Sequence, residues 1–396
     1  RSPMSPPALS ERHVQTLPDL LQLFSTSQFL SDLRVADGEA FDLLRMTGGL
    51  PVARDELVGE LVAEVRAVGD DGDVQAALRR AKRRETLRIA FGDIVRSQPL
   101  NTVARQISYL ADAMLEAALD HALRRHAGKN GQPIGRSGQP AKFVVLALGK
   151  LGGMELNYSS DIDLVLVYSD EGKTDGQHSI SNQDYYTRVG RDLVRLLGEQ
   201  TALGTAYRVD LRLRPEGSRG EICLSFDRTL AYYDVKGRTW ERQAYIKARP
   251  VAGDHQLGHQ LLERLEPWVY RRYLSRADIT GIRSLKQRIE RRAQAEGVDE
   301  RNVKTGHGGI RDIEFVIQFL QLLNGGSLPE IRTGNTLEAI DRLDQTGCLL
   351  HEEHAILSNN YRLLRKLEHR LQIMFDLQTH TMPEDPEELR KLAIRM

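Results

Sequence analysis

The sequence has little cysteine, no long apolar run and no excess of charge of either sign. Its two cysteines, Cys223 and Cys348, exclude a disulfide framework and a four-cysteine zinc site. The longest apolar runs, residues 143–148 and 164–168, are far too short to span a bilayer. No pattern typical of a signal peptide opens the chain. We therefore expect a soluble, cytoplasmic protein with no membrane partner.

The charge balance argues against a nucleic-acid partner. The 55 Lys and Arg residues are matched by 55 Asp and Glu residues, which gives a formal net charge of +0. Proteins that wrap a polynucleotide usually carry a strong basic bias. At 396 residues the chain is long for a single core, which favours more than one domain. Because it starts at Arg1 and ends in a helical segment without a stop signal, we expect a piece of a longer protein.

Hydrophobic periodicity divides the chain into three regions. We predict an N-terminal helical region over 1–127, an α+β domain over 141–254 and a C-terminal helical bundle over 255–396, so the chain is predominantly helical. The loop at 128–140, rich in Gly and Pro, is the best internal boundary. The strongest predicted elements are helices over 73–95, 103–127 and 351–378, strands over 142–148 and 207–214, and a helix that opens with the capping box Ser181-x-x-Asp184.

Three acidic residues on two alternating segments are the most informative feature of the α+β domain. Asp161 and Asp163 point the same way on a strand, and Asp210 lies in a second segment together with Arg212 and Arg214. If the two segments are neighbours, three carboxylates converge beside two guanidinium groups. Carboxylates that close repel one another unless divalent cations lie among them, and Mg²⁺ prefers such ligands alongside substrate phosphates. The pattern favours metal-dependent phosphoryl or nucleotidyl transfer.

Simpler interpretations compete with each of these signals. An acid-x-acid pair is often a solvent-facing part of a strand, although the apolar run that follows Asp163 argues against it here. The segment Gly149 to Gly153 is not a P-loop, because Val144 stands where a glycine is needed and Leu151 where Ser or Thr is needed. Two interpretations remain for this segment: a tight turn, or a turn that lets the backbone approach a phosphate.

Two further segments mix charge with aromatic or imidazole groups. Residues 240–249 predict an amphipathic helix with Trp240 and Ile246 in the core, from which Lys247 and Arg249 could reach a phosphate or nucleotide. The segment from His351 to His354 is not a zinc-protease motif, because its histidines are three rather than four residues apart. An acidic helix start is the better interpretation of this segment.

Several long motifs, in order, resemble the glutamine synthetase adenylyltransferase family, whose members add AMP to glutamine synthetase and remove it. The resemblance covers most of the chain from about Arg84 onward. The motifs that carry it are Gly149-Lys150-Leu151-Gly152-Gly153-x-Glu155-Leu156-Asn157, Ser159-Ser160-Asp161-Ile162-Asp163-Leu164, the stretch from Tyr207 to Pro215, Arg238-Thr239-Trp240-Glu241-Arg242, Lys247-Ala248-Arg249, Gly308-Gly309-Ile310-Arg311-Asp312-Ile313-Glu314-Phe315 and Arg332-Thr333-x-Asn335-Thr336-Leu337-Glu338.

The resemblance implies a small mixed-sheet nucleotidyltransferase domain of the DNA polymerase β type, embedded in helical domains. It implies that Asp161, Asp163 and Asp210 are the catalytic triad and bind the metal, expected as two Mg²⁺ ions with Mn²⁺ as the alternative. Residues implied or expected to bind the nucleotide (ATP, ADP or AMP) and inorganic phosphate are Gly152, Gly153, Ser160, Arg212, Arg214, Lys247 and Arg249.

The resemblance also implies a reaction and its partners. Members carry two similar halves, of which the N-terminal one removes AMP from glutamine synthetase and the C-terminal one adds it. The motifs at 207–210, 240–242 and 309–311 resemble the N-terminal half, whereas the stretch at 332–336 is closer to the other. We therefore expect phosphorolysis of the AMP–tyrosine ester to ADP and tyrosine. ATP-dependent adenylylation and a catalytically idle nucleotide-sensing module are the alternatives. Through the full-length enzyme, a PII-type signal protein is an implied partner.

Overall fold

The protein is a predominantly helical molecule around one small mixed sheet, as the fold-class prediction states. The computed structural model describes residues 22–23, 47–271, 280, 301–375 and 378–396. Most of the first 46 residues and most of the predicted helical stretch between 272 and 300 lie outside the described residues. In the described ranges, no helix combines the length and apolar character that crossing a membrane requires.

The helices α1 (Arg54–Ala67), α2 (Asp71–Ile94) and α3 (Leu100–Asn130) precede the sheet. The Asp70 side chain caps α2 by accepting a hydrogen bond from the Asp73 backbone N–H. Both long helices predicted from the sequence are confirmed, and α3 extends beyond both predicted ends.

The central sheet has five strands and both parallel and antiparallel pairs. Strand β1 (Pro133–Gly135) pairs with β4 (Gly172–Thr174) in a separate two-stranded sheet. In the larger sheet β2 (Phe143–Leu148) lies antiparallel to β3 (Ile162–Tyr168) and to β7 (Arg249–Gly253). The free edge of β3 pairs in parallel with two short strands, β5 (Val209–Asp210) and β6 (Cys223–Ser225). A short helical turn, α4 (Gly149–Gly152), leaves β2 on the way to β3.

Both faces of this sheet are buried, which explains the nearly continuous apolar runs of β2 and β3. One face, which includes Ile162 and Leu164, packs against α1–α3 and α5 (Asn182–Gly198). The other face includes Val165 and Val167, and packs against α6 (Phe226–Val235), α7 (Thr239–Tyr245), α8 (His255–Val269) and α9 (Ile310–Asn324). Alternation along β3 places Asp163 at the start of this second face.

The helix α5 follows its sequence signals closely. The Ser181 side chain accepts a hydrogen bond from the Asp184 backbone N–H, as the predicted capping box requires. The residues of its apolar face are buried: Tyr185, Val189, Leu193 and Leu196. In contrast, the helix predicted over 240–249 is wrong at its end, since α7 ends at Tyr245 and a strand begins at Arg249. Trp240 is only half-buried, so its predicted place in the core is wrong, whereas Ile246 is buried as predicted.

The last helices form a third core that borders the sheet domain. They are α9, α10 (Thr336–Gln345), α11 (His351–Phe375) and α12 (Pro386–Arg395). Their apolar residues pack together in a cluster around Ile317, Ile340 and Leu371. By contrast, one core joins α1–α3 to the sheet and α5, so the N-terminal helices pack as part of the sheet domain.

Candidate functional site

Two of the three predicted acids face each other across adjacent strands. Asp163 of β3 and Asp210 of β5 are direct register partners in the parallel pair. Asp161 lies just before β3 and, with the other two, lines a cavity of about 290 Å³ that we call the acid cavity. The sequence prediction that the two acidic segments are neighbours is therefore confirmed.

The strand predicted over 207–214 is much shorter in the structure. Strand β5 ends at Asp210, after which the chain turns, with the Arg214 N–H donating to Leu211 O at 3.2 Å. A following 3₁₀ turn spans Gly217–Arg219. Because the alternation of a strand ends at Asp210, Arg212 and Arg214 do not share a sheet face, and this part of the prediction is wrong.

The carboxylates of the acid cavity differ in their environments. Burial, together with the nearby negative charges of Asp210 and Asp161, raises the pKa of Asp163 to about 6. The hydrogen bonds that Arg212 donates lower the pKa of Asp210. Arg208 donates to Asp161 at 2.5 Å, so both outer acids have a guanidinium partner. Negative charge is therefore least compensated at Asp163.

The donor chemistry of the acid cavity fits a divalent cation. Three carboxylates offer only oxygen ligands, which suit Mg²⁺ and Mn²⁺. A cation beside Asp163 would offset the charge that raises its pKa. Among the described residues, the three acids are not a group whose ligand atoms all lie within 4.8 Å of one another; a different group is. Binding of one cation by all three carboxylates therefore requires Asp161 and Asp210 to turn from Arg208 and Arg212.

That other group consists of Asp344, His351 and His354, at the junction of α10 and α11. His354 Nε2 lies 2.8 Å from Asp341, and the His351 side chain is 89% exposed. Helix α11 begins at His351, as the interpretation as a helix start predicts. None of these residues lines the acid cavity.

Gly149 holds Asp163 in place through a close approach. Its φ is +55°, and a Cβ built on it would lie 2.3 Å from Asp163 Oδ2. The left-handed conformation and the contact with the carboxylate both require a residue without a side chain. The glycine at 149 is thus part of the geometry of the acid cavity.

We expect Gly149→Ala to lose most activity at a small cost in stability. The new methyl group would displace the Asp163 carboxylate, and the positive φ costs about 1–2 kcal/mol for a non-glycine residue. Gly138→Ala is the matched control, since Gly138 has φ +79° and a Cβ added to it would meet nothing within 4 Å. Turnover and urea unfolding of the two variants should separate the effects. Equal activity in both would show that the Gly149 contact does not organise the acids.

The glycines predicted to line phosphates are approached by protein backbone instead. A Cβ on Gly152 would lie 2.0 Å from Lys247 O, and one on Gly153 would lie 2.6 Å from Gly334 O. Both glycines line a neighbouring cavity of about 750 Å³, together with Arg249. Ser160 does line the acid cavity. Of these three predicted phosphate ligands, the structure therefore places Ser160 alone beside the acids.

The predicted cations have different surroundings. Arg212 hydrogen-bonds to Asp210 through Nε and Nη2 and has a side chain that is 77% exposed at the acid cavity. Arg214 donates instead to four main-chain carbonyls, those of Leu211, Ser218, Gly220 and Glu221. This set of bonds stabilises the turn after β5, so the structure does not place Arg214 as a phosphate ligand.

Lys247 and Arg249 are held in buried ion pairs. Lys247 Nζ lies 2.7 Å from Glu155 and 3.5 Å from Glu314, and it borders both cavities. Arg249 makes two hydrogen bonds of 2.8 Å to Asp112, whose side chain is fully buried. These contacts give both cations a role in joining the segments of the protein, and they turn Arg249 away from the acids.

The C-terminal region supplies residues of the acid cavity that the sequence prediction missed. It contributes Lys304, Glu314, Gln318, Gln378 and His380, while Lys150 of α4 adds a further cation. Lys150 Nζ lies 2.9 Å from Glu368 of α11, and its pKa is lowered to about 8, chiefly by burial. The motif Gly308 to Phe315 was a signal for this contribution, but nothing in it indicates which side chain reaches the acids.

Comparisons with known proteins identify relatives of this chain. The family model described as glutamate-ammonia ligase adenylyltransferase matches residues 17–264, and the model described as GlnD PII-uridylyltransferase matches residues 280–396. The chain is similar to proteins named bifunctional glutamine synthetase adenylyltransferase/adenylyl-removing enzyme. One from Pseudomonas putida is 40% identical over 94% of this chain, and one from Pseudomonas aeruginosa is 39% identical over 96%.

A third relative of the same name, from Bradyrhizobium sp., is 40% identical over 94% of this chain. The chain spans only part of each relative: 38% of the Pseudomonas putida protein, 39% of the Pseudomonas aeruginosa protein and 38% of the Bradyrhizobium protein. The name of these relatives joins two opposite activities on one substrate protein.

Proposed function

Because this chain belongs to the glutamate-ammonia ligase adenylyltransferase family, we propose that it removes AMP from glutamine synthetase in the cytoplasm. In the proposed reaction, inorganic phosphate attacks the phosphorus atom of an AMP–tyrosine ester. A new phosphorus–oxygen bond joins phosphate to AMP, the bond to tyrosine breaks, and the products are ADP and tyrosine. The reaction is a phosphorolysis catalysed by a nucleotidyltransferase site.

The observation that carries this proposal is the coexistence of acids and cations in one cavity. Asp161, Asp163 and Asp210 line the acid cavity together with Arg212 and Lys304. Phosphorolysis brings an additional phosphate dianion to the reacting centre, and cationic groups beside the acids favour its binding. The motifs at 207–210, 240–242 and 309–311 support the same direction, since they resemble the adenylyl-removing half of the family.

The residues of the cavity have distinct roles in this mechanism. Asp161, Asp163 and Asp210 would hold Mg²⁺, or Mn²⁺ in its place, which when bound neutralises charge that develops on the phosphoryl oxygens. Arg212 offers its planar guanidinium to a phosphate. Gly149 keeps the Asp163 carboxylate in position. Ser160, at the entrance to β3, can donate its hydroxyl to a phosphate oxygen.

Glutamine synthetase is the proposed macromolecular partner, with ADP and phosphate as the small ligands. The names of the relatives include glutamine synthetase as the protein acted upon. A PII-type signal protein is a further proposed partner through the full-length enzyme, supported by the similarity of residues 280–396 to a PII-uridylyltransferase model.

The proposal is tested by measuring ADP release from adenylylated glutamine synthetase with Mg²⁺ and phosphate. A parallel reaction contains unmodified synthetase and labelled ATP. Phosphate-dependent ADP in the first reaction and no label transfer in the second support the proposed direction. Label transfer alone would reverse the direction and leave the site assignment in place. If neither reaction gives a product, while the wild type binds Mn²⁺ and Asp163→Asn does not, the result would indicate that the site needs the rest of the protein for activity.

A further inference from the structure

One cation of the acid cavity comes from outside the sheet domain. Lys304 lies in the loop that precedes α9, and its half-buried side chain lines the same cavity as Asp163 and Arg212. Its charge acts on Asp163, lowering the pKa that burial and the two other acids raise. The lysine is therefore close enough to the reacting centre to interact with a group that binds there.

The backbone around Lys304 is held on both sides. The Asn302 side chain accepts hydrogen bonds from the backbone N–H groups of Lys304 and Thr305, at 3.0 and 2.9 Å. The Val303 N–H donates to His380 O at 2.8 Å, and the Arg311 N–H donates to Lys304 O at 3.0 Å. These bonds tie the loop to the start of α9 and to the segment that follows α11. The position of Lys304 is thus built into the fold.

A close backbone approach adds to this fixation. A Cβ on Gly309 would lie 2.8 Å from Val303 O and 3.0 Å from Lys304 O. Since any side chain at 309 would push the loop away, the glycine that begins the motif Gly309-Ile310-Arg311 allows Lys304 to reach the acids. This provides a structural reason for a glycine at this position.

The other cations of the cavity are already paired. Lys150 is bound to Glu368, Lys247 to Glu155 and Arg212 to Asp210. Within the described residues, Lys304 Nζ makes no hydrogen bond or ion pair, although its backbone is fully engaged. A cation that is held beside three acids and has no partner in the part of the chain that the structure describes is poised to bind an anion.

We propose that Lys304 binds the attacking inorganic phosphate, which becomes the β-phosphate of ADP. This inference rests on the proposed phosphorolysis. Lys304 and Arg212 would hold the phosphate while one of its oxygens forms a bond to the AMP phosphorus atom. The bond from that phosphorus atom to the tyrosine oxygen breaks, and the tyrosine oxygen takes up a proton. Lys304 forms no covalent bond and serves as a binding residue for the phosphate and for the β-phosphate of the product.

The competing role of Lys304 is to offset the charge of the acids. The two roles predict opposite results for metal and phosphate. If Lys304 acts only on the acids, its loss removes a repelling cation, which strengthens Mn²⁺ binding and leaves phosphate binding unchanged. If it binds phosphate, its loss weakens phosphate and ADP binding but not AMP binding, since AMP lacks the β-phosphate.

The test compares Lys304→Gln with wild type and with Lys129→Gln, an exposed lysine at the end of α3 that does not line the cavity. For Lys304→Gln we expect the KM for phosphate to rise roughly 10- to 100-fold with little change in kcat, as loss of a charge-assisted hydrogen bond predicts. ADP binding, measured by calorimetry, should weaken by a similar factor, and AMP binding should not change. Lys304→Arg should restore most of both, and Lys129→Gln should behave as wild type.

The outcomes separate this inference from the proposed function. If wild type releases no ADP in response to phosphate, the proposed function fails, whatever the variant does. If wild type is active and Lys304→Gln keeps its KM for phosphate and its preference for ADP over AMP, the inference alone is overturned. A thermal melt monitored by circular dichroism should match wild type, because Lys304 Nζ has no hydrogen-bond or ion-pair partner to lose among the described residues.

Discussion

Asp163→Asn is expected to abolish turnover and, in the absence of divalent cations, to stabilise the folded protein at neutral pH. Asp163 lines the acid cavity beside Asp210, and its carboxylate is the least compensated of the three. An amide cannot supply the charge that a bound cation and the transition state require. We expect a loss of about 10³-fold or more, larger than for removal of one hydrogen-bond donor.

The stabilising effect follows from the raised pKa of this carboxyl. Its ordinary value is 3.8, and in the folded protein it is about 6. Between these values the folded state binds more protons than the unfolded state, so the free energy of unfolding falls as pH rises from about 4 to about 6. Above pH 6 this cost is complete and amounts to about 3 kcal/mol. The side-chain amide of the Asp163→Asn variant would carry no such cost, because it has no charge to bury.

Asp210→Asn is the matched control for this prediction. It should abolish turnover as well, but it should lower stability at neutral pH, because hydrogen bonds from Arg212 favour the ionised form of Asp210. Urea unfolding at pH 5 and pH 7.5 with EDTA, together with the ADP-release assay, measures both quantities. Near-normal turnover in either variant would refute the metal-binding triad. Destabilisation by Asp163→Asn at pH 7.5 would show that its charge is compensated in solution.

Glu368→Ala is expected to destabilise the protein by about 3–5 kcal/mol. The Glu368 side chain is fully buried in α11 and lies 2.9 Å from Lys150 Nζ and 2.9 Å from His380 Nδ1, with Arg365 Nε at 3.4 Å. Although burial opposes its ionisation, these partners, led by Lys150, hold the pKa of Glu368 well below its ordinary value. Removing the carboxylate would leave the largely buried Lys150 and the buried Arg365 without the negative charge of Glu368.

The same ion pair joins the C-terminal helices to the acid cavity. Lys150 follows Gly149 directly, so its release from Glu368 would also disturb the position of Asp163. We therefore expect Glu368→Ala to lose activity in addition to stability. Lys391→Ala is the control, since Lys391 forms an exposed pair with Glu388 at 2.8 Å, of a type that contributes about 0–1 kcal/mol. If the two variants had equal free energies of unfolding, the Glu368 side chain would be exposed to solvent and not buried.

The acidic part of the site was accessible from local pattern alone. Asp161 lies just before β3 and Asp163 lies within it, two residues apart in the chain, so their proximity follows from the local sequence. Asp210 needed one tertiary assumption, that two acidic segments are neighbours, and the parallel pair of β3 and β5 confirms it. The capping box at Ser181 was equally local and is confirmed.

The cationic part of the site was not accessible in this way. A sequence shows that Arg214 and Arg249 are charged, but their long side chains bind whichever acceptors the fold brings near. Arg214 is bound to main-chain carbonyls, and Arg249 is bound to Asp112. The acid cavity instead receives Lys304, which lies more than ninety residues beyond Asp210 in the chain.

The sequence by itself determined the helices, the central strands of the sheet and the family, because these depend on periodicity and on motifs contained within short segments. Only the tertiary structure decided which cations face the acids, and which glycines meet a carboxylate rather than a backbone carbonyl. Gly149 lies against Asp163, whereas Gly152 lies against Lys247 O. The physical reason is that a charged side chain takes the partners that burial leaves within its reach, and those partners come from distant parts of the chain.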